Sequence, residues 1–340
     1  DSSLIASETK LSLLHMDYGY KDTQYAKKIA KELGNSFLSL KFDNTIKSSL
    51  FNDARLIASY VEEPIMDYTF KASYELSKCA KENGFKVMLS GMGADEVFNG
   101  YPRYVAYNIY RYFRPIQRII PSFFLKLIKK FFKIKSRKFQ RMINAICEKD
   151  PIWAYSNLVG YFSREEISKI WKPKVNYDNK VHKDWIKIVG QNISLSQIPK
   201  NMDRSGFLPH NLMVADKSSM RAGLELRVPF LSEKIISKYK RLNTSIFNRQ
   251  KNIIVNLCSK RISPKLLDRK KEGFNPPLYN AINSCSYNDY MEYFYKTGVF
   301  KLINIDEIEK LLAEHFQKKY DNTYKIWQMV FFAAWYEKWA

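Results

Sequence analysis

The first hundred residues alternate between two kinds of apolar spacing, and that alternation restricts the fold more than any other feature of the chain. Leu11–Met16 is a short apolar run that predicts a strand. Thr23–Leu33 places apolar or small residues at Tyr25, Ala26, Ile29, Ala30 and Leu33, a helical spacing closed by Gly34. Phe37–Phe42 reads as a second strand and Leu50–Tyr60 as a helix. Phe70–Asn83 predicts another helix, stopped by Gly84, and Phe85–Leu89 a buried strand. Strand and helix in this succession predict a parallel sheet with crossover helices, so the expected fold class is α/β. From about Tyr104 onward helical spacing dominates and no strand alternation is evident. Trp171–Tyr177, with Pro173 inside it, predicts a break; Asp306–Trp339 predicts amphipathic helices rich in Leu, Phe and Trp.

Ligands of open parallel sheets bind beyond the carboxyl ends of the strands, and Ser90 is the first residue past such an end. The segment from Ser90 to Tyr101 reads SGMGADEVFNGY. The chain holds only 12 glycines, yet Gly91, Gly93 and Gly100 all fall in this segment. Glycine lets backbone amides approach a phosphate closely and form an anion-binding nest. Asp95 and Glu96 follow at once, and two carboxylates beside a phosphate cradle require a cation, for which Mg²⁺ with oxygen ligands is the natural choice. The competing reading is a tight turn whose acidic residues favour a helix N-terminus.

Two further segments are rich in charge. Asp216–Leu231 reads DKSSMRAGLELRVPFL, where Glu225 and Arg227 flank a turn toward Pro229 and are expected to pair. Arg269–Pro277 reads RKKEGFNPP, a loop able to present a lysine to phosphate. Taken singly, a structural ion pair and a solvated basic loop are the better explanations of the two.

The chain has 340 residues, enough for two domains or one domain with a helical elaboration, and its 46% hydrophobic content supports a packed core. Its net charge of +22 is unevenly spread: Arg111–Arg141 carries eleven Lys or Arg and no Asp or Glu, half of the excess. That stretch is also strongly apolar. Either it forms a basic amphipathic helix on an anionic surface, or its aromatic face packs on its own protein. No recognised nucleic-acid module is present, which excludes that class of partner. Cys79, Cys147, Cys258 and Cys285 show no metal-ligand spacing and are expected as buried thiols in a reducing compartment. The 4 histidines sit in no metal-binding pattern. No run approaches the roughly 20 apolar residues of a membrane span, and no signal peptide is evident, so a cytoplasmic location is expected.

Together the blocks S-G-x-G-x-D-E-x-F-x-G-Y, D-(K/R)-x-S-M-x-x-x-x-E-x-R-x-P-F-L and R-K-K-x-G-F, in this order, resemble the synthetase domain of glutamine-hydrolysing asparagine synthetases, within the ATP pyrophosphatase group. The resemblance runs from Asp1 to about Trp339. It implies a parallel-sheet ATP pyrophosphatase (adenine nucleotide alpha hydrolase-like) core followed by a mainly α-helical region. Residues 1–110 would be the nucleotide-binding core, 111–200 a basic helical insertion, and 201–340 the helical part completing the site. The opening Asp1-Ser2-Ser3 is similar to the end of the family's S-G-G-x-D-S-S pyrophosphate loop. The chain therefore looks truncated inside that loop, with a Cys-led glutaminase domain expected upstream.

The resemblance implies ATP and Mg²⁺ as cofactors, with Asp1 and Asp95 as metal ligands. Ser2 and Ser90, with Gly91, Gly93 and Glu96, would sit at the nucleotide. Lys217 and Lys271 would approach the phosphates and the acyl-adenylate, and Glu225 and Arg227 would shape the same pocket. The implied reaction activates the aspartate side-chain carboxylate as β-aspartyl-AMP with release of pyrophosphate; ammonia derived from glutamine then displaces AMP. The small-molecule partners are thus aspartate or another carboxylate, and ammonia. A homodimer and a peripheral membrane contact through 111–141 are further expectations. Met92 departs from the acidic residue common at its place, Ser232 replaces the usual Asp after P-F-L, and Asp67-Tyr68-Thr69 only partly matches D-P-S. These departures keep two alternatives open: a related amidotransferase acting on a sugar acid or other carboxylate for cell-surface polysaccharide, and an inactive truncated paralogue.

Overall fold

The computed structural model describes residues 11–19, 22–41, 49–131, 136–173, 177–190, 193–239, 252–267, 274 and 276–340. The chain divides into two compact units, one from Asp1–Gly100 with His210–Ala281 and one from Tyr101–Pro209 with Ile282–Ala340.

In the first unit the alternating segments form β1 (Ser12–Asp17), α1 (Asp22–Glu32), β2 (Ser36–Lys41), α2 (Ser49–Ala58), α3 (Thr69–Glu82) and β3 (Val87–Leu89), each within about two residues of the sequence reading. β1 and β2 run parallel, with Ser12 opposite Ser36 and Asp17 opposite Lys41. Gly34 and Gly84 take positive φ where α1 and α3 stop, which a left-handed exit requires. α3 buries Phe70, Ala72, Ser77 and Ala80 on one stripe.

The single parallel sheet predicted from the alternation is not what forms among the described residues. β3 pairs instead with β4 (Glu225–Arg227), and β1–β2 and β3–β4 are separate two-stranded parallel sheets. The chain is thus mostly helical, with an α/β element that is smaller than the expected core. β4 also overturns the expectation of no strand after Tyr104. Three residues with charged ends carry no period of their own, so only the partner strand makes this segment a strand. Nor is β3 a buried strand, for Phe85 and Val87 are each 37% exposed. With β4 as its one neighbour among the described residues, β3 lacks the flanking cover that buries a central strand.

The second unit is helical. α5 (Pro102–Ile119), α6 (Ser122–Phe131), α7 (Arg137–Ile146) and α8 (Pro151–Val159) lead into the helices Arg164–Ile170, Tyr177–Val189 and Ile198–Met202. Asp150 caps α8 by accepting from the N–H groups of Ile152 and Trp153 at 2.9 and 3.0 Å. Tyr104, Tyr107, Tyr110 and Tyr155 form the aromatic centre of this core. Beside them Asp203 is fully buried and accepts from the Arg103 guanidinium at 2.9 and 3.0 Å. Burial pushes the Asp203 carboxyl up, and the Arg103 charge works against that. Asp203 opens a π-helical turn, Asp203–Phe207, in which a Cβ at Gly206 would lie 2.4 Å from the Trp185 ring.

The predicted break at Trp171 is real: the helix ends at Ile170, and Trp171 makes an antiparallel bridge to Ile303. The C-terminal helix Thr323–Trp339 is less amphipathic than expected. Ile326, Trp327, Val330, Phe331, Ala333 and Ala334 are buried on one side, and the other side is also largely apolar, with Phe332, Trp335 and Tyr336 half-buried. Cys147, Cys258 and Cys285 are buried free thiols, while Cys79 is half-buried.

His315, near the end of the helix Ile305–Phe316, is buried, and its Nδ1 accepts from the Asn322 N–H at 3.2 Å. Burial pushes its imidazole below the ordinary value near 6.5, with Asp321 and a Tyr320 backbone contact opposing. The unfolded chain then binds a proton more readily than the folded one, so stability is full above that value and is lost as pH falls through it. The thermal midpoint is expected to drop on going from about pH 7.5 to about pH 5.5, and to drop less in His315→Gln. Scanning calorimetry across that range checks this; an equal drop in the two proteins would assign the pH dependence to other groups.

Candidate functional site

The candidate site is built at the carboxyl end of the β3–β4 pair. Val87 lies opposite Glu225, Met88 opposite Leu226 and Leu89 opposite Arg227. The Ser90 N–H then donates to the Arg227 carbonyl at 2.8 Å, extending the pairing one residue past β3. Two segments 138 residues apart in sequence, as Val87 is from Glu225, therefore leave the same sheet edge side by side.

Past Ser90 the chain turns sharply. The Met92 N–H donates to Ser90 Oγ at 3.3 Å, and the Ala94 N–H to the Gly91 carbonyl at 3.4 Å. Gly93 has φ +84°, and α4 (Ala94–Phe98) begins immediately after it. A Cβ on Gly93 would lie 2.3 and 2.4 Å from Leu231 Cδ2 and Cγ. The requirement for glycine here thus comes from the left-handed backbone and from Leu231 of the second block. Phe98 seats the same corner, its ring 6.0 Å from Phe230 and 5.0 Å from Tyr239.

Asp95 and Glu96 both lie in the first turn of α4, and their environments differ. Asp95 is half-buried, and its carbonyl accepts from the Gly100 N–H at 2.8 Å. Glu96 is 2% exposed, and its neighbours Ala94, Val97 and Phe98 in α4 belong to the unit's apolar core. Glu225 and Arg227 pair as the sequence suggested, with Arg227 Nε donating to Glu225 Oε1 at 2.8 Å from the same side of β4. The Arg227 hydrogen bond and charge hold the Glu225 carboxyl below its ordinary range, and both side chains remain exposed. Lys217 is half-buried on the helix Leu208–Arg221, which leads through Gly223 into β4. Its ammonium is paired with Glu62, whose carboxyl is held low by that hydrogen bond. Asp1, Ser2 and Lys271 lie outside the described residues. Pairing of β3 with β4 thus brings Ser90, Gly91, Gly93 and Asp95 together with Glu225 and Arg227.

Glu62, His210 and Asp17 of this unit went unread in the sequence, whereas Asp67 stood in the segment that partly matches D-P-S. Glu62 belongs to no motif. His210 Nε2 lies 3.9 Å from Asp67 Oδ2, while Asp67 Oδ1 accepts from the Thr69 N–H and hydroxyl at 2.9 and 2.8 Å. At the carboxyl end of β1, Asp17 Oδ1 accepts from the Gly19 N–H and the Thr23 hydroxyl, each at 2.8 Å, which lowers its carboxyl. Position at a parallel strand's carboxyl end was the available signal for Asp17.

The donor set fits an Mg²⁺ that arrives with a phosphate ligand. Such an ion keeps several waters and needs only one or two carboxylates from the protein. Asp95 supplies one at the strand end, Glu96 beside it is buried, and Glu225 is engaged by Arg227. Among the described residues no group of three or more His, Cys, Asp or Glu could hold a metal by itself.

A glycine turn, a carboxylate and an Arg–Glu ion pair stand together at the carboxyl end of two parallel strands, where α/β folds place their ligands. The family model for asparagine synthase matches residues 1–337, and the chain belongs to that family. It is 27% identical over 361 aligned residues to an asparagine synthetase [glutamine-hydrolyzing] 1 of Bacillus subtilis (strain 168), covering 99% of this chain and 54% of the relative. A putative asparagine synthetase [glutamine-hydrolyzing] of Mycobacterium tuberculosis (strain ATCC 25618 / H37Rv) is 23% identical over 82% of this chain and 43% of its own length. The chain thus spans about half the length of the curated relatives it matches.

Gly93→Ala should destabilise the first unit by about 1–3 kcal/mol, combining a strained φ with overlap on Leu231. Removing the overlapping side chain with Leu231→Ala should make the glycine substitution less costly, a coupling that a double-mutant cycle in urea reads directly. Additive effects of the two substitutions would show that Leu231 does not press on this turn.

Proposed function

We propose that this chain is the synthetase part of an AMP-forming amide ligase. In this reading it joins aspartate to ammonia with ATP as the energy source. The observation that supports it is the parallel seating of β3 beside β4, which sets the Ser90–Asp95 turn and the Glu225–Arg227 pair at one strand end. Ser90 and the Gly91–Gly93 turn would receive the pyrophosphate portion of ATP, and Asp95 would hold Mg²⁺ on it. Bound there, the ion supplies charge neutralisation to the departing pyrophosphate. Arg227, oriented by Glu225, offers a planar guanidinium to a carboxylate or phosphate. Lys217, held by Glu62, and Lys271 add further cations on the phosphate side. The aspartate side-chain carboxylate attacks the α-phosphorus of ATP, pyrophosphate leaves, and ammonia displaces AMP from the acyl carbon. The residues act by positioning and by charge, since neither step needs a protein nucleophile. In the same reading ammonia comes from glutamine through a separate glutaminase domain.

A second reading differs only in the acceptor. Met92 lies half-buried between the two glycines of the turn, where its thioether offers neither charge nor a strong hydrogen bond. An acceptor carboxylate other than the aspartate side chain, such as a sugar acid, is compatible with that surface.

Pyrophosphate exchange into ATP separates these readings. Exchange that requires aspartate and falls by at least about a hundredfold in Asp95→Asn is expected. Exchange supported by another carboxylate and not by aspartate would transfer the proposal to the second acceptor class. No exchange with any carboxylate, in a protein shown to bind ATP, would overturn the adenylation reading.

A further inference from the structure

The stretch Arg111–Arg141 contributes nothing to the site around Ser90, and its surface is unusual. α5 buries Tyr104, Tyr107, Asn108, Tyr110 and Gln117 on one side. Its opposite side carries Val105, Ile109, Tyr112, Ile116 and Ile119 at alternating spacings of four and three, one continuous helical stripe. These residues are exposed from 41% at Ile109 to 84% at Ile119. After the corner at Ile120–Pro121, α6 buries Leu125 and exposes Phe123, Phe124, Ile128 and Phe131, the last to 77%. Apolar surface so continuous marks an interaction site.

The charge pattern identifies the partner's chemistry. From residue 111 to 141 every charged side chain is a cation. A cavity of about 360 Å³ bordered by α6 is lined by Lys126, Lys129, Lys149 and Arg164 against Glu148 and Glu165. Of these, Lys129 pairs with Glu165 at 3.8 Å, and the lining carries four cations against two carboxylates. Protein interface cores are depleted in lysine, whereas helices that lie on bilayers combine Phe and Leu on one face with Lys at its borders. Among the described residues no helix is long and apolar enough to cross a membrane, so the fitting geometry is one that lies on the surface.

We propose that α5 and α6 dock this chain onto an anionic phospholipid bilayer. Phe123, Phe124 and Phe131 enter the acyl boundary, and Lys126, exposed at the border of that face, meets the phosphate headgroups. This surface shares no residue with the ligase site, so the proposal stands or falls independently of that reading.

Vesicle flotation of the 340-residue chain tests it. The probes are phosphatidylcholine vesicles with and without about one-third phosphatidylglycerol, at low salt and at about 0.5 M salt. Binding is expected to the anionic vesicles only, and to weaken at least about tenfold at the higher salt. Phe124→Glu and Lys126→Glu should each lower the partition coefficient by about tenfold or more. Trp339→Ser, an exposed aromatic outside the two helices, should leave it unchanged. Circular dichroism and thermal midpoints of each variant report folding separately. The proposal is overturned by absence of anionic-vesicle binding at low salt, by equal binding to neutral vesicles, or by full binding of folded Phe124→Glu. A self-association in sedimentation velocity that Ile116→Glu abolishes, without any vesicle binding, would assign the face to a second copy of the chain and equally overturn it.

Discussion

Three residue pairs between β3 and β4 carry the arrangement on which the candidate site depends. Their hydrogen bonds alone would be a weak tether, since each contributes about 1 kcal/mol net. Side-chain burial beyond the strand ends holds them in place. Leu231 occupies the space a side chain at Gly93 would take, and Phe98 packs edge-on against Phe230 and Tyr239. Ala94, Val97 and Phe98 continue into a core with Ile254, Cys258, Ile262 and Leu266. The turn after β3 is therefore held from beneath by apolar contacts.

The ion pairs of the site serve orientation more than stability. Glu225 and Arg227 face each other from alternate positions on one exposed strand, where solvent screens their attraction. What the pairing accomplishes is to fix a guanidinium plane that would otherwise sample many rotamers. Lys217 and Glu62 do the same across a long sequence separation. A contrasting pair, Arg103 with the fully buried Asp203, lies in the helical unit. There the charges are locked into the tyrosine-rich core, and removing either partner would strand the other in an apolar setting.

Much of the fold was legible because local spacing encodes it. The helix stops at Gly34 and Gly84, the strands near Leu11 and Phe37, and the break at Trp171 all follow from period and punctuation. The Ser90–Tyr101 turn was legible for the same reason, as was the pairing of Glu225 with Arg227. Glu96 shows the limit of such reading. Adjacent carboxylates look equivalent in sequence, yet in the fold Glu96 is buried while Asp95 stays half-buried. The basic stretch shows it too, for spacing could not say whether its aromatic face was covered.

By itself the sequence determined the order of the elements, the glycine turn after β3, the charged blocks and the family to which they belong. These are properties of short windows, set by dihedral preference and apolar period. Only the tertiary structure decided that β3 takes β4 as its neighbour and that Leu231 requires glycine at position 93. It alone showed that Lys217 is held by Glu62 and that the stripe from Val105 to Ile119 faces outward. Each of these is a contact or an exposure between segments far apart in the chain, and no local preference specifies which distant segment will arrive.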